Sequence, residues 1–470
     1  MFEPGNIANL TEKEQIELQE KLEATIKQTA NFLNQSEIEK IAKETGFVER
    51  ESKITGTLFL CVFMFGVTIY GNPSLEQLIG LLGIYLKDIT FSKQGLSQRI
   101  CEQSVKFFEK ILTISIKAII PENLKIKIPN QFPRIMIWDS TEFQLPEALS
   151  EFFTGKGGSA STAGAKIHFC YNLLGHQWFY SITSATTSDK TMESKIIEQT
   201  QTGELVIQDL GYFKVEIFDA LHKKNAYYLS RLRTDATVYL QNSLGEFVPF
   251  DLINWLKTAQ FQRVEFDVFI HSKHNVFTPT RLIIEKLPDS VVNERRRKMH
   301  KEAESRGKQL SAEKIFFAAF NFYITNAPAV LLPASCCRFL YSIRWQIELV
   351  FKAWKSHLQI HKFVVKYRPE RVETTILAKL IFVTITSNII QLVTTSLWLF
   401  SHLEISYFRA LRHFQTIGEK WFSLVLSSSV SSIFSLLQDA ASFIKDHCFK
   451  IPQKGRVYPL QLLENISLTS

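Results

Sequence analysis

Apolar residues recur at three- and four-residue spacing from Glu14 to Phe47 and again from Leu75 to Ile119, so residues 1–125 predict a helical region. Within it, Ser74 and Ser92 can cap two helices with Lys87–Thr90 as the turn between them. That arrangement is like a helix-turn-helix, and it makes Lys93, Gln94, Gln98 and Arg99 candidate DNA contacts. The segment Pro121–Pro133 reads as a linker. Beyond it the period shortens. The segments Ile135–Trp138, Lys166–Leu173, Trp178–Ala185, Leu205–Gln208 and Ala226–Leu232 predict strands, while Met192–Gln201 and Lys214–Lys223 predict helices between the later ones. Further β-rich runs, Arg263–His271 and Arg281–Glu285, predict a small inserted sheet within residues 236–290, and helical periodicity returns after about Val372.

Two uncharged runs raise the question of a membrane. Leu58–Tyr70 is short and broken by Gly71-Asn-Pro73. Leu380–Phe400 carries Thr384, Thr386, Ser387, Asn388, Gln391, Thr394, Thr395 and Ser396, so both predict buried core helices.

The candidate chemistry lies where these patterns meet. On a continuous helix, Tyr341, Arg344, Glu348 and Lys355 fall at about 0°, 300°, 340° and 320°, within one narrow stripe. A carboxylate flanked by two cations and a phenol suits a metal ion held beside a phosphodiester, because the acid binds a hard cation and the others hold phosphate oxygens. The competing reading is an exposed ion-pair stripe. Asp139 and Asp209 shift that balance, since each is expected at the carboxyl end of an apolar strand, where sites in α/β sheets gather. Either one alone is equally a turn former or helix cap.

These residues resemble the DDE transposases of bacterial insertion sequences, in the insertion-sequence-4 group. Its signature, Tyr-x2-Arg-x3-Glu-x6-Lys, is matched by Tyr341, Arg344, Glu348 and Lys355; Asp139-Ser140-Thr141 and Asp209-Leu-Gly211-Tyr212 match the contexts of its first two acids. The resemblance implies an α/β fold with an RNase H-like catalytic core, in which Asp139, Asp209 and Glu348 are catalytic and hold Mg²⁺ or Mn²⁺, two ions per site. It implies that Tyr341, Arg344 and Lys355 bind phosphates of the transferred strand. It further implies cut-and-paste action on the element's inverted-repeat ends and on target DNA, a homodimer on DNA, and a base-flipping step for which Trp255, Trp345 and Trp354 are the aromatic candidates.

Spacing divides the chain further. Seventy residues separate Asp139 from Asp209, but 139 separate Asp209 from Glu348, so something is inserted there. The expected layout is a helical DNA-binding region at 1–125, a first core part at 126–235, and a β-rich insertion with a basic helix at 236–310. A second core part at 311–371 and a helical, dimerising region at 372–470 complete it.

Charge and cysteines narrow the class. With 54 basic and 46 acidic residues the net charge is +8, which favours a polyanionic partner. Glu294–Lys308 concentrates that charge, with seven Lys/Arg against three Glu, and its Arg295, Arg296, Arg297 and Lys298 are candidate phosphate contacts. Arg231 and Arg233 can either touch DNA or pair with acids. The six cysteines follow no disulfide or zinc spacing, and His168 and His176 lack partner cysteines, so both histidines read as structural. A cytoplasmic, nucleoid-associated bacterial protein without a membrane partner is expected. The alternatives are an RNase H-like nuclease or inactive transposase-derived DNA-binding protein and, further off, a non-enzymatic DNA-binding or membrane-associated helical protein.

Overall fold

The computed structural model of the chain describes residues 12–32, 35–50, 53–86, 92–118, 132–172, 178–272, 276–305, 307–363, 368–401 and 403–450. Helices α1 (Glu12–Phe32), α2 (Gln35–Glu44), α3 (Gly56–Tyr70), α4 (Leu75–Tyr85), α5 (Lys93–Gln98) and α6 (Glu102–Ala118) precede strands β1 (Ile135–Leu145), β2 (Ala163–Asn172) and β3 (Trp178–Ser184). Helix and strand then alternate through α7 (Glu193–Gln199), β4 (Leu205–Gln208), α8 (Val215–Lys223) and β5 (Tyr227–Arg231). Next come β6 (Val238–Gln241), β7 (Phe247–Pro249), α9 (Leu252–Thr258), β8 (Arg263–His271), β9 (Phe277–Lys286), α10 (Asp289–Ser305), α11 (Ala312–Phe317) and β10 (Phe320–Thr325). Helices α12 (Ala334–Ile343), α13 (Trp345–Ser356), α14 (Pro369–Ser401), α15 (Tyr407–Thr416), α16 (Gly418–Leu426) and α17 (Val430–His447) follow. The predicted linker and the 87–90 turn fall almost wholly outside the described residues, as does His176.

One ten-stranded sheet runs β3-β2-β1-β4-β5-β10-β9-β8-β6-β7 among the described residues. Strands β1 to β3 form an antiparallel meander, β4 returns parallel to β1, and β5 lies parallel to β4, which matches the strand order expected of the core. The expectation of a separate small sheet is corrected. Strand β10 is buried along its whole length and pairs antiparallel with β5 on one side and β9 on the other, so β6 to β9 continue the main sheet. A buried strand with an unpaired edge would leave backbone groups without partners, and β9 satisfies that edge.

Because side chains alternate across a strand, the sheet has two apolar faces. Ile135, Ile137, Ile167, Leu205 and Ile207 join one core with residues of α3, α6, α13 and α14. Met136, Trp138, Cys170 and Val206 join the other with Ile196 of α7 and Ile217, Phe218 and Leu221 of α8.

The helices at the two ends of the chain, expected as separate regions, pack as one layer: α1 on α17, α3 on α16, and α6 on α14. Helix α14 spans 33 residues and is long and apolar enough to cross a membrane, yet 94% of its most apolar stretch is buried inside the protein. Its hydroxyls fold back on the helix, Thr384 to the Leu380 carbonyl and Thr386 to the Phe382 carbonyl, each at 2.8 Å. Their polarity is thereby satisfied in an apolar setting. Helix α3 is likewise buried from Gly56 to Thr68 and ends at Gly71, whose φ of 72° few other residues adopt. Both uncharged runs are core helices.

Two local expectations also change. Strand β1 does not end before Asp139 but continues to Leu145, because β2 pairs with it from Met136 to Leu145. The helix expected from Tyr341 to Lys355 is two helices joined at Arg344, where the Arg344 N–H donates to the Tyr341 carbonyl at 3.2 Å and the Ile347 N–H to the Arg344 carbonyl at 3.1 Å. These tightened i→i+3 bonds let the chain turn there without an abrupt break.

Candidate active site

The sheet register brings the first two acids together. Parallel pairing of β1 with β4 runs from Ile135↔Leu205 to Trp138↔Gln208, and Asp139 and Asp209 each follow that last pair directly. Ile135 and Ile137 point to the helical face, as do Leu205 and Ile207, so the same alternation carries Asp139 and Asp209 toward α13. Asp209 leaves its strand and caps a short 3₁₀ turn, its Oδ2 accepting from the Gly211 N–H at 3.2 Å.

Arg344, at the joint between α12 and α13, enters from the opposite side. Its guanidinium pairs with Asp139 through Nη1, lies 2.9 Å from Glu348 Oε1 through Nη2, and faces Asp209 Oδ1 at 3.7 Å through Nε. Three carboxylates from distant segments thus converge on one cation. Burial pushes the Asp139 carboxyl up to about 7; Arg344 and the Ser140 N–H pull it down, and Asp209 and Glu348 push it further up. For Arg344, burial disfavours the charge, but the surrounding acids, Asp139 foremost, outweigh it and raise its pKa. Among the described residues no three His, Cys, Asp or Glu side chains are placed to hold a metal ion together. The guanidinium fills the space the three acids share. Their chemistry nonetheless fits a hard divalent cation, which takes carboxylate oxygens and retains several waters.

The other residues of the predicted stripe divide. Tyr341 stays with Arg344, whose guanidinium lies 5.9 Å from its ring centre, and burial raises the phenol to about 12. Lys355 reaches away from the acids to the Glu142 carbonyl at 3.3 Å, and burial lowers its pKa. On the basic helix α10, Arg295 turns inward to Asn321 Oδ1 at 2.8 Å and Arg296 to the Ile315 carbonyl at 3.2 Å. Lys298 pairs with Glu294 at 2.6 Å; it and Arg297 are exposed. Arg233 pairs with Asp235. In the N-terminal helices Lys93 pairs with Glu76, and Arg99 donates to the Ile54 carbonyl at 3.0 Å. Trp354 is wholly buried against Phe169 and Phe351, which removes it as a stacking surface, while Trp255 packs among Phe250, Phe261 and Phe266.

One group beside the acids escapes the motif. Lys166 and His168 of β2, with Ser140, Tyr212 and Asp189, form a polar cluster on the other face of the sheet. Its signal was present in β2, where Lys166 and His168 alternate with Ala165, Ile167 and Phe169. A strand buried on both faces has no reason to carry them unless a partner waits.

Comparison with known proteins identifies the family. The transposase DDE domain family matches residues 130–385, more than half of the chain. The transposase for insertion sequence element IS231B of Bacillus thuringiensis subsp. berliner is 30% identical over 391 residues, covering 79% of this chain and 81% of that protein. The IS231F transposase of B. thuringiensis subsp. israelensis has the same identity and coverage. That of IS1151 from Clostridium perfringens is 28% identical over 449 residues, covering 88% and 93%. The chain therefore belongs to the DDE transposases of the insertion-sequence-4-like group, enzymes that cut DNA and transfer it.

Proposed function

We propose that Asp139, Asp209 and Glu348 are the catalytic carboxylates of a cut-and-paste reaction on the element's own inverted-repeat ends. The observation that carries this reading is their convergence on the Arg344 guanidinium from β1, β4 and α13. The three acids would hold two Mg²⁺ ions, with Mn²⁺ as a substitute. Such ions activate the attacking oxygen and neutralise the leaving one when bound. Arg344, which contacts all three acids, and Tyr341 beside it orient the scissile phosphate of the transferred strand, Arg344 through a fork of donors that matches phosphate oxygens. Lys355, anchored to β1, extends that contact along the strand. Arg297 and Lys298 contact the DNA backbone from α10, whereas Arg295 and Arg296 hold that helix against β10 and α11.

The remaining assignments belong to the same reading. Residues 126–235 and 311–371 make an RNase H-like core, with 236–310 as its insertion. The helical layer, built from 1–125 and 372–470, binds the element's ends and brings two copies together on DNA. The protein acts in the bacterial cytoplasm, at the nucleoid, without a membrane.

The test is excision, in cells, of a marker placed between the sequences that flank the gene, comparing wild type with Glu348→Gln at matched soluble levels. Wild type is expected to excise and the variant to lose on the order of 100-fold or more. Equal excision by both would remove Glu348 from the site.

A further inference from the structure

Directly behind the two strand-borne acids, on the opposite face of the sheet, a fourth carboxylate is held in a closed polar network. Asp189 begins a 3₁₀ turn after β3. Its Oδ1 accepts from Ser140 Oγ at 3.0 Å and from Lys166 Nζ at 3.2 Å, and stands 3.5 Å from His168 Nδ1. Lys166 also donates to the Thr187 carbonyl at 2.8 Å, two residues before Asp189. His168 Nδ1 lies 3.0 Å from the Tyr212 hydroxyl and its Nε2 lies 3.1 Å from Thr183 Oγ1. Burial holds the imidazole down to about 4, so the ring is neutral and bonds by tautomer rather than by charge.

The network has two arms, and each ends beside an acid. Ser140 follows Asp139 in β1, so its side chain points to the rear of the sheet while Asp139 points to the front. Gly211 lies two residues beyond Asp209, and a Cβ built on it would collide with Asp189 Oδ2. The backbone of the Asp209 turn therefore rests directly on the Asp189 carboxylate, and glycine is what permits that approach. Tyr212, fully buried, fixes the far side of the same turn through His168.

We propose that Asp189 is a positioning residue that sets the spacing between Asp139 and Asp209, gripping the first through Ser140 and bracing the second through Gly211 and Tyr212. The inference rests on the reading of Asp139 and Asp209 as cation ligands. The contacts of Asp189 are with Ser140, Lys166, His168 and the Gly211 turn, on the face of the sheet opposite the three acids, so it acts on the geometry of the ligands. Residues behind a metal site commonly govern affinity by 10–100-fold, because ligands held off their binding geometry must reorganise first. Gly211 belongs to the same device, since a Cβ there would meet Asp189 Oδ2 and force either the turn or the Asp189 carboxylate to move.

The experiment compares full-length wild type, Asp189→Asn, Ser140→Ala and Asp139→Asn. Two quantities are read: Mn²⁺ binding, from the electron paramagnetic resonance signal of the free ion, and the Mn²⁺ concentration giving half-maximal cleavage of a duplex carrying the element's end. Asp189→Asn is expected to shift both midpoints upward by about 10-fold or more, with cleavage recovering at saturating Mn²⁺. Ser140→Ala removes one arm and shifts them about threefold, a portion of that range. Asp139→Asn is expected to abolish both. A purely structural Asp189 would lower the melting temperature and leave the Mn²⁺ midpoints where they are, and that result in folded Asp189→Asn overturns the proposal. Should Asp189→Asn not fold, Ser140→Ala decides, and wild-type midpoints in it overturn the proposal equally. Wild-type Mn²⁺ binding by Asp139→Asn would instead defeat the ligand reading itself, whatever Asp189 does.

Discussion

Asp139 is the residue at which this site stores the most electrostatic conflict. It is 8% exposed, and its carboxyl is raised from an ordinary 3.8 to about 7 by burial, even with Arg344 against it. The folded chain therefore binds a proton at this position between about pH 4 and 7 that the unfolded chain has released. The resulting stabilisation is complete below the unfolded value and is lost as pH rises through about 7. In chelator, Asp139→Asn is expected to unfold at higher denaturant than wild type at pH 8, by about 1–2 kcal/mol, with the gap closing toward pH 5. The value stays below the roughly 1.4 kcal/mol per pKa unit because the substitution also strips Arg344 of a partner. Paired urea titrations at the two pH values measure it; equal gaps at both would show that the carboxyl titrates normally.

At the scale of elements, the helical layer carries its own buried charge. Lys379 of α14 is fully buried, donates to the Gln359 carbonyl at 3.0 Å and lies 5.7 Å from the centre of the Phe363 ring; burial lowers it to about 7. A lysine depressed in the folded state forfeits stability as pH falls from its unfolded value toward that of the folded chain. Lys379→Met keeps the length and removes the ammonium, so it is expected to raise stability by about 1–3 kcal/mol at neutral pH, read as an increase in melting temperature. The elements show where sequence periodicity reaches its limit. Strand β4 was legible to the residue, since the apolar Leu205–Ile207 with Gln208 is bounded by Asp209 and Gly211. The extent of β1 was not, because the polar run Asp139-Ser140-Thr141-Glu142 breaks the apolar pattern after Trp138 and is held as strand by β2, a partner outside its own sequence. The joint at Arg344 was invisible because every residue from Tyr341 to Lys355 tolerates a helix and no proline or glycine marks the break. The juxtaposition of Asp139 and Asp209 was legible because each follows an apolar strand run at a matched position. Asp189 was not, because its partners Ser140, Lys166, His168 and Gly211 are scattered and meet only once the sheet forms.

At the scale of the whole molecule, the two ends of the chain cannot be separated as the spacing of motifs suggests. Helix α1 packs on α17, and α14 packs on α1, α3, α6 and α17, so the helical layer is a joint product of both ends. A fragment ending at residue 371 is expected to lose protease resistance throughout residues 12–118, and limited digestion of the fragment beside the full chain measures it. A compact, resistant N-terminal band from the fragment would mean that the helices fold alone.

That interleaving has a temporal side. Asp139 and Asp209 leave the ribosome early, but α13, which carries Glu348, lies beneath a layer that awaits Val430–His447. At about 5–20 residues per second, closure trails the emergence of Asp139 by roughly 15–60 s. A chain still under synthesis therefore presents Asp139 and Asp209 well before α13 and the helices packed on it can bring Glu348 to them.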